Sequence, residues 1–542
     1  MKTEHKTLTI LFLIIILASL FRLVNLPSIP PGLYPDEAMN GNNALEAIST
    51  NNYKVFYPEN NGREGLFINI QALFLKFFLN FYPSPEPWML RFTSALFGIL
   101  TVIGIYFITK ELFRKNERAK TFALVSTFFI ATSFWHINFS RIGFRAIMAP
   151  CFLVWGTYLL LFAFRKFEGG KNDHNKNPKL QTTNNKQIQI TNDQNSKFGH
   201  FGFIWKLLFE NWILPILAGL VYGLGMHSYI AYRATPALIL FIFFLLTSEY
   251  GWEKILKLGT LFTLGAIIVS LPLIIYFAQN PQDFLGRTSQ ISIFSGGSPL
   301  KDLGLNIIKT IGMFFVYGDS NWRHNLSGAP ELFLPIAIFL VIGIVVGIKK
   351  IFKKKGEEEK SRWFKNSVFG FWILFAWLAV AILPVVVSNE GIPHALRSIL
   401  MIPPAMILAG IGSVFVYDWI QKKNIPRVVF SLCIILFLGL IGIYTFYTYF
   451  IIWGQNKETA NAFSSDSIET GNMLNLLPNE IKKYIVVEGD GISVRGIPMN
   501  SQTVMYITDS FTPEKQKEKN IVYITPEKKN IVSQGNLIVE LK

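Results

Sequence analysis

Charge is scarce in this chain. Of its 542 residues only 16% are charged, while 51% are hydrophobic. That balance excludes an ordinary soluble domain, whose surface needs more charge than this. Cysteine is nearly absent: Cys151 and Cys433 both sit inside apolar blocks, read as inert core residues. Two such cysteines give no disulfide framework and say nothing about redox compartment. No internal repeat is visible. No basic face on a soluble domain accompanies the net charge of +16, which argues against a nucleic-acid partner.

What the chain has instead is apolar runs of membrane length. "TLTILFLIIILASLFRLVNL" (7–26) is the first, and runs of about 20 residues match a bilayer core. Its length, and the lack of a small-residue cleavage site, favour an uncleaved anchor over a signal peptide. Eleven spans are expected, near 7–26, 88–109, 121–138, 146–164, 210–228, 232–248, 256–277, 331–348, 366–387, 395–417 and 427–453. Lys and Arg gather at 110–120, 165–206, 349–362 and 421–427. With a cytoplasmic N-terminus, the even-numbered spans deliver the chain to these loops, as the positive-inside rule requires.

The polar stretch 171–197, rich in Asn, Gln and Lys, cannot bury a core and is expected to be disordered. Residues 27–87 form a long first external loop, with amphipathic interfacial helices expected over 36–50 and 64–81. A second long loop covers 278–330. From 454 to 542 the chain reads as a separate external module. Strand-like runs at 484–489, 503–508, 520–525 and 536–541 predict an α/β or β-rich fold for it.

Polar residues that stand out in so apolar a chain gather on one side of this topology. "PGLYPDEAMNG" (31–41) places Asp36 and Glu37 just past the first span. As a helix start it accounts for one acid by capping. Adjacent helical residues point about 100° apart, so one of the two faces a reacting atom, and Asp36 is the choice. Glu37 then bonds a neighbouring arginine or helps hold a metal. Arg63, Arg141, Arg145, Arg233, Arg323 and Arg397 all fall at external ends or loops. So do His227, His324 and His394, with Tyr229 beside them. Any one of these arginines is plain if it snorkels to headgroups. Together, beside a carboxylate, they suit a phosphate held at the membrane surface.

These features resemble the GT-C superfamily of lipid-phosphate-sugar glycosyltransferases, and within it bacterial relatives of protein O-mannosyltransferases and aminoarabinose transferases. The motifs carrying the resemblance are "YPDEA" (34–38), "GREGLFINIQAL" (62–73), "HINFSRIGFR" (136–145), "GLGMHSYIAYR" (223–233), "NWRHN" (321–325) and "EGIPHALRS" (390–398). The resemblance covers about 7–453. It departs at Arg63-Glu64-Gly65, where many relatives carry Lys or His before two prolines. It implies an all-α polytopic GT-C-like domain over 1–453, in the cell membrane, with the 454–542 module outside. It implies Asp36 as catalytic base with Glu37 beside it, and Arg63, Arg141, Arg145, His227, Tyr229, Arg233, Arg323, His324, His394 and Arg397 as the donor-binding set. The partners implied are a polyprenyl-phosphate-linked sugar, an acceptor hydroxyl on protein, lipid or glycan, and membrane lipids. Transfer by a single displacement inverts the anomeric centre. No cofactor is required, and a divalent metal is left open because no ligand spacing demands one. Two other readings stand beside this one: a flippase or transporter of lipid-linked glycans, and a non-catalytic membrane subunit. Transporters usually show repeats and mid-membrane charges, which this chain lacks.

Overall fold

The structure, a computed structural model, describes residues 2–174, 212–284, 292–295, 298–352, 368–389, 391–423, 426–489, 492–531 and 536–541. From residue 175 on, the stretch expected to be disordered lies outside the described residues.

Among the described residues, nine helices are long and apolar enough to cross a membrane. The chain is a multi-pass membrane protein. Each expected span contains helix, but two fall short as single spans. The third is broken: α5 (Ala119–Ala131) and α6 (Phe134–Arg141) meet at 57°. Thr132 closes α5 and Ser133 caps α6, its Oγ accepting the His136 N–H at 3.5 Å. The fifth is short within the described residues, running Ile213–Leu224 with a tighter turn to His227.

α1 (Lys2–Leu23) is followed by a turn and by α2 (Pro35–Thr50), then α3 (Leu66–Phe78) and α4 (Pro87–Leu112). Both stretches expected as helices are therefore helical. α2, however, is largely buried, with ten residues enclosed. A two-stranded ribbon of β1 (Phe56–Tyr57) and β2 (Arg63–Glu64) joins α2 to α3. Past α6, α7 (Met148–His174) returns through the bundle. One apolar core runs from α1 through α4–α7 into the later helices, with Trp135, Trp377 and Trp453 fully enclosed. Helix Ile213–Leu224 lies against helix Trp252–Gln279 at backbone range. A Cβ on Gly219 would stand 1.9 Å from the Phe262 carbonyl, so only glycine permits the approach. Cys151 is buried as expected. Cys433 is not: it is exposed on helix Arg427–Phe446.

The tail is a small α/β unit. Three parallel strands lie in the order Ile521–Ile524, Lys483–Val487, Leu537–Leu541. The central strand is buried on both faces, as a parallel sheet requires. The run 503–508, expected as a strand, is instead a helix, Gln502–Ile507. A short apolar run fits either element. Here parallel pairing of the flanking strands demands a helical crossover, and the helix docks on α2. Gln502 accepts from Asn42, Thr503 donates to the Leu33 carbonyl, and Tyr506 donates to the Glu86 carbonyl.

Candidate functional site

Asp36 sits in the first turn of α2, after Pro35 and an extended Tyr34. Its carboxylate is held from one side by a tight turn. Asn60, Asn61 and Gly62 all adopt left-handed φ, of 53°, 61° and 74°. Asparagine and glycine tolerate that region best. A Cβ on Gly62 would also strike the Phe56 ring at 2.4 Å. The turn delivers two donors: Asn60 Nδ2 reaches Asp36 Oδ1 at 2.8 Å, and Arg63 reaches Oδ2 at 3.1 Å. The Asp36 side chain stays 32% exposed, so it is oriented yet accessible.

Glu37 points the other way and is fully buried. Arg91 meets it with two nitrogens, at 3.1 and 3.3 Å, and the Gly143 N–H donates to it at 2.6 Å. It also accepts the Tyr34 N–H and so closes the start of α2. Arg91 goes on to bond the Pro30 and Gly32 carbonyls, both at 2.7 Å. Of the two roles expected for Glu37, the arginine pair is the one present. The residue is not on the wall that Asp36 faces.

That wall belongs to a cavity of about 450 Å³. Asp36, Arg63, Arg145, Tyr229, Arg323, His324, His394 and Arg397 line it, together with Tyr34, Asn40 and Asn321. Four guanidinium groups thus face one carboxylate. Arg145 rests on Glu64 at 2.9 Å, and Arg233 takes the other Glu64 oxygen at 3.2 Å. Burial alone would raise the Glu64 carboxyl, but the two arginines outweigh it and hold it below its ordinary value. Arg323 lies 3.9 Å over the Tyr34 ring, a cation–π contact that fixes it at the cavity edge.

Asp319 joins the two loops that complete the wall. It accepts the Asn321 N–H at 2.8 Å and the Ala395 N–H at 2.9 Å, and its Oδ2 is 2.9 Å from His324 Nδ1. The carboxylate fixes the His324 ring, leaving Nε2 free of this bond. His394 stacks on that ring with centroids 4.8 Å apart. Burial would raise Asp319; bonding to His324, the charges of both histidines and the Asn321 N–H bring it below its ordinary value. Burial pushes His394 well down, and His324 and Arg397 push it further.

Four expected residues lie elsewhere. Arg141 is fully buried and bonds the Phe21 and Ile29 carbonyls at 3.0 and 2.7 Å. His227 Nε2 meets the Val269 carbonyl at 2.9 Å. Glu37 is internal, as described. Arg233 borders a second, apolar groove of about 400 Å³ between helices Ile213–Leu224, Pro236–Tyr250 and Trp252–Gln279. Glu64, bonded to both Arg145 and Arg233, stands between that groove and the polar cavity. Missing from the sequence reading were Arg91, Asn60, Asn40 and Asp319. The last two carried a signal: Asn40 is one helical turn beyond Asp36, and Asp319 opens the loop that holds "NWRHN".

Asp319, His324 and His394 are a group that could hold a metal ion, their ligand atoms lying within 4.8 Å of one another. Two imidazoles and one carboxylate are donors that divalent transition ions accept. No comparable group includes Asp36 or Glu37 among the described residues.

The fold and this cavity define a multi-pass membrane protein with an arginine-lined polar cavity beside its first long loop. No protein-family model matches the chain, and no curated protein matches it in sequence. Solved structures do. The oligosaccharyltransferase of Archaeoglobus fulgidus, in its apo form, aligns with 93% of this chain at a TM-score of 0.53 and 14% identity. The chain spans only 64% of that protein. The same organism's AglB, in complex with an inhibitory peptide and a dolichol-phosphate, aligns at 0.52 and 13% identity over 97% of this chain and 70% of that one. ArnT from Cupriavidus metallidurans, bound to undecaprenyl phosphate, aligns at 0.51 and 11% identity, covering 98% of this chain and 89% of ArnT. At such identities the likeness is one of fold.

Proposed function

We propose that this protein is a membrane glycosyltransferase. It moves a sugar from a polyprenyl-phosphate donor to an acceptor hydroxyl at the external face. The observation that carries the reading is a partly exposed, doubly held Asp36 in one cavity with Arg63, Arg145, Arg323 and Arg397. The neighbours bound to dolichol-phosphate and undecaprenyl phosphate support it through the shared fold.

An acceptor hydroxyl has a pKa far above 7 and attacks only as its proton leaves. Asp36 takes that proton while the new bond to the anomeric carbon forms, a contribution of roughly 10²–10⁴-fold. The bond from the anomeric carbon to the phosphate oxygen breaks, and the electron pair leaves with the phosphate. That phosphate needs no proton, only positive charge. Arg323, Arg397 and Arg145 supply it in place, which costs no reorganisation during the reaction. Glu37 is too deeply buried to act as a nucleophile, which favours a single inverting displacement over a retaining route. The apolar groove beside Arg233 suits the prenyl chain, with Glu64 marking where tail gives way to headgroup.

A divalent ion fits the chemistry of Asp319, His324 and His394 and would occupy that triad, adding charge stabilisation for a phosphate oxygen. None of the steps above depends on it.

The test is transfer by purified protein from polyprenyl-phosphate sugars, scored as release of polyprenyl phosphate. Wild type should release it, and Asp36→Asn should be slower by at least about 10²-fold at equal protein level. Equal rates for the two would remove Asp36 from the chemistry.

A further inference from the structure

Asn40 has an oxygen with nothing to bond. It lies one turn beyond Asp36 on α2 and lines the same cavity. The residue is only 2% exposed. Its Nδ2 donates to the Gly143 carbonyl at 3.1 Å. Its Oδ1 is buried and has no partner among the described residues. Reversing the amide would not help, because it would set two oxygens face to face at that distance. Gly143 cannot move aside either, since its N–H is fixed on Glu37 Oε2 at 2.6 Å. Two of the cavity guanidiniums are engaged, Arg63 with Asp36 and Arg145 with Glu64.

A buried acceptor left unpaired is costly, and the cavity that Asn40 lines is where a partner can be supplied to it. Residues four apart on a helix share a face, about 6 Å apart along the axis, the scale of one sugar ring. We propose that Asn40 Oδ1 accepts a hydrogen bond from one O–H or N–H group of the sugar being transferred. It is then a specificity-determining residue, while Asp36 handles the acceptor proton at the anomeric end. The inference rests on the glycosyl-transfer reading and adds to it a group that reads the sugar itself.

A site built to bond one polar hydrogen rejects an analogue lacking it, because the acceptor is then left bare. The experiment uses purified protein and undecaprenyl-phosphate-linked mannose, glucose, galactose and aminoarabinose. The sugar transferred best is then followed by its analogues, each lacking one hydroxyl or amino group, against a fixed acceptor. Wild type should lose about 10- to 100-fold in kcat/KM for one analogue and little for the rest. Asn40→Ala should treat that analogue and the parent within about 3-fold, its deficit confined to the parent sugar. Asn40→Ser, which keeps a polar group near the Gly143 carbonyl, replaces it if the alanine variant does not fold. The proposal is overturned if wild type handles all analogues alike, or if the variants keep the discrimination. A uniform loss on every donor overturns it too and marks Asn40 as a structural residue or a reader of the acceptor. If wild type releases polyprenyl phosphate from none of the parent donors, the glycosyl-transfer reading fails first.

Discussion

Replacing Arg91 by methionine should damage the fold far more than replacing Asp36, although the two lie on either side of the same helix start. Arg91 and Glu37 are both fully buried. The guanidinium donates to Glu37 through two nitrogens and to the Pro30 and Gly32 carbonyls. Methionine fills much of the volume but removes all four bonds. It leaves the Glu37 carboxylate with only the Tyr34 and Gly143 N–H donors in a fully buried site. Breaking a buried pair by removing one partner costs about 3–5 kcal/mol. For domains of 150–250 residues each kcal/mol moves Tm by roughly 2–4 °C, and the shift shrinks as chains lengthen, so a fall of about 2–5 °C is expected here. Thermal unfolding in detergent, followed by loss of monodisperse protein, measures it. Asp36→Asn is the internal control: its partner pair is partly exposed, and such pairs contribute about 0–1 kcal/mol. If Arg91→Met unfolds within about 1 °C of wild type, the reasoning about Glu37 as a buried structural acid is wrong.

Other outcomes follow from the same geometry. Gly62→Ala should lower kcat by about 10-fold or more, because a Cβ there would strike Phe56 and shift the turn that holds Asp36; unchanged kcat would show that the turn does not position the carboxylate. Asn60→Ala should lower kcat with a smaller change in donor KM, since it removes one bond to Asp36 and leaves the arginines alone; a change confined to KM would contradict it. Glu64 is held below its ordinary value of 4.5 by two arginines. Its stabilising contribution is therefore complete above that pH and is lost as pH falls through the lower folded value. The gap in Tm between wild type and Glu64→Gln should be widest near neutrality and close in acid below 4.5; a gap that widens in acid would reverse the sign assigned here.

Much of the membrane fold is legible in the sequence because bilayer thickness imposes long apolar runs that nothing in a soluble chain requires. The break at Ser133 is less legible: a serine within an apolar run is unremarkable until its hydroxyl is seen to cap α6. In the site, Asp36, Arg323 and His394 stand out because polar groups are rare in this chain and the loops carrying them share one end of the bundle. Arg141 gave the same signal for another reason. Its guanidinium satisfies backbone carbonyls at the end of α1 and in the following turn, Phe21 and Ile29. Sequence does not separate an arginine that binds carbonyls from one that faces a ligand. Asn40 is the opposite case, an unobtrusive amide whose role depends on which atom lacks a partner. The 503–508 run misled because its apolar residues serve a helix docked on α2 rather than a fourth strand.

The central claim is that a lipid-linked phosphate is held by the arginines opposite Asp36. Direct binding of undecaprenyl phosphate to purified wild type and to an Arg323→Ala, Arg397→Ala double variant tests it without any need to know the sugar or acceptor. The account predicts affinity weakened by at least about 10-fold in a variant that unfolds at the wild-type temperature. Equal affinity in the two proteins would contradict it.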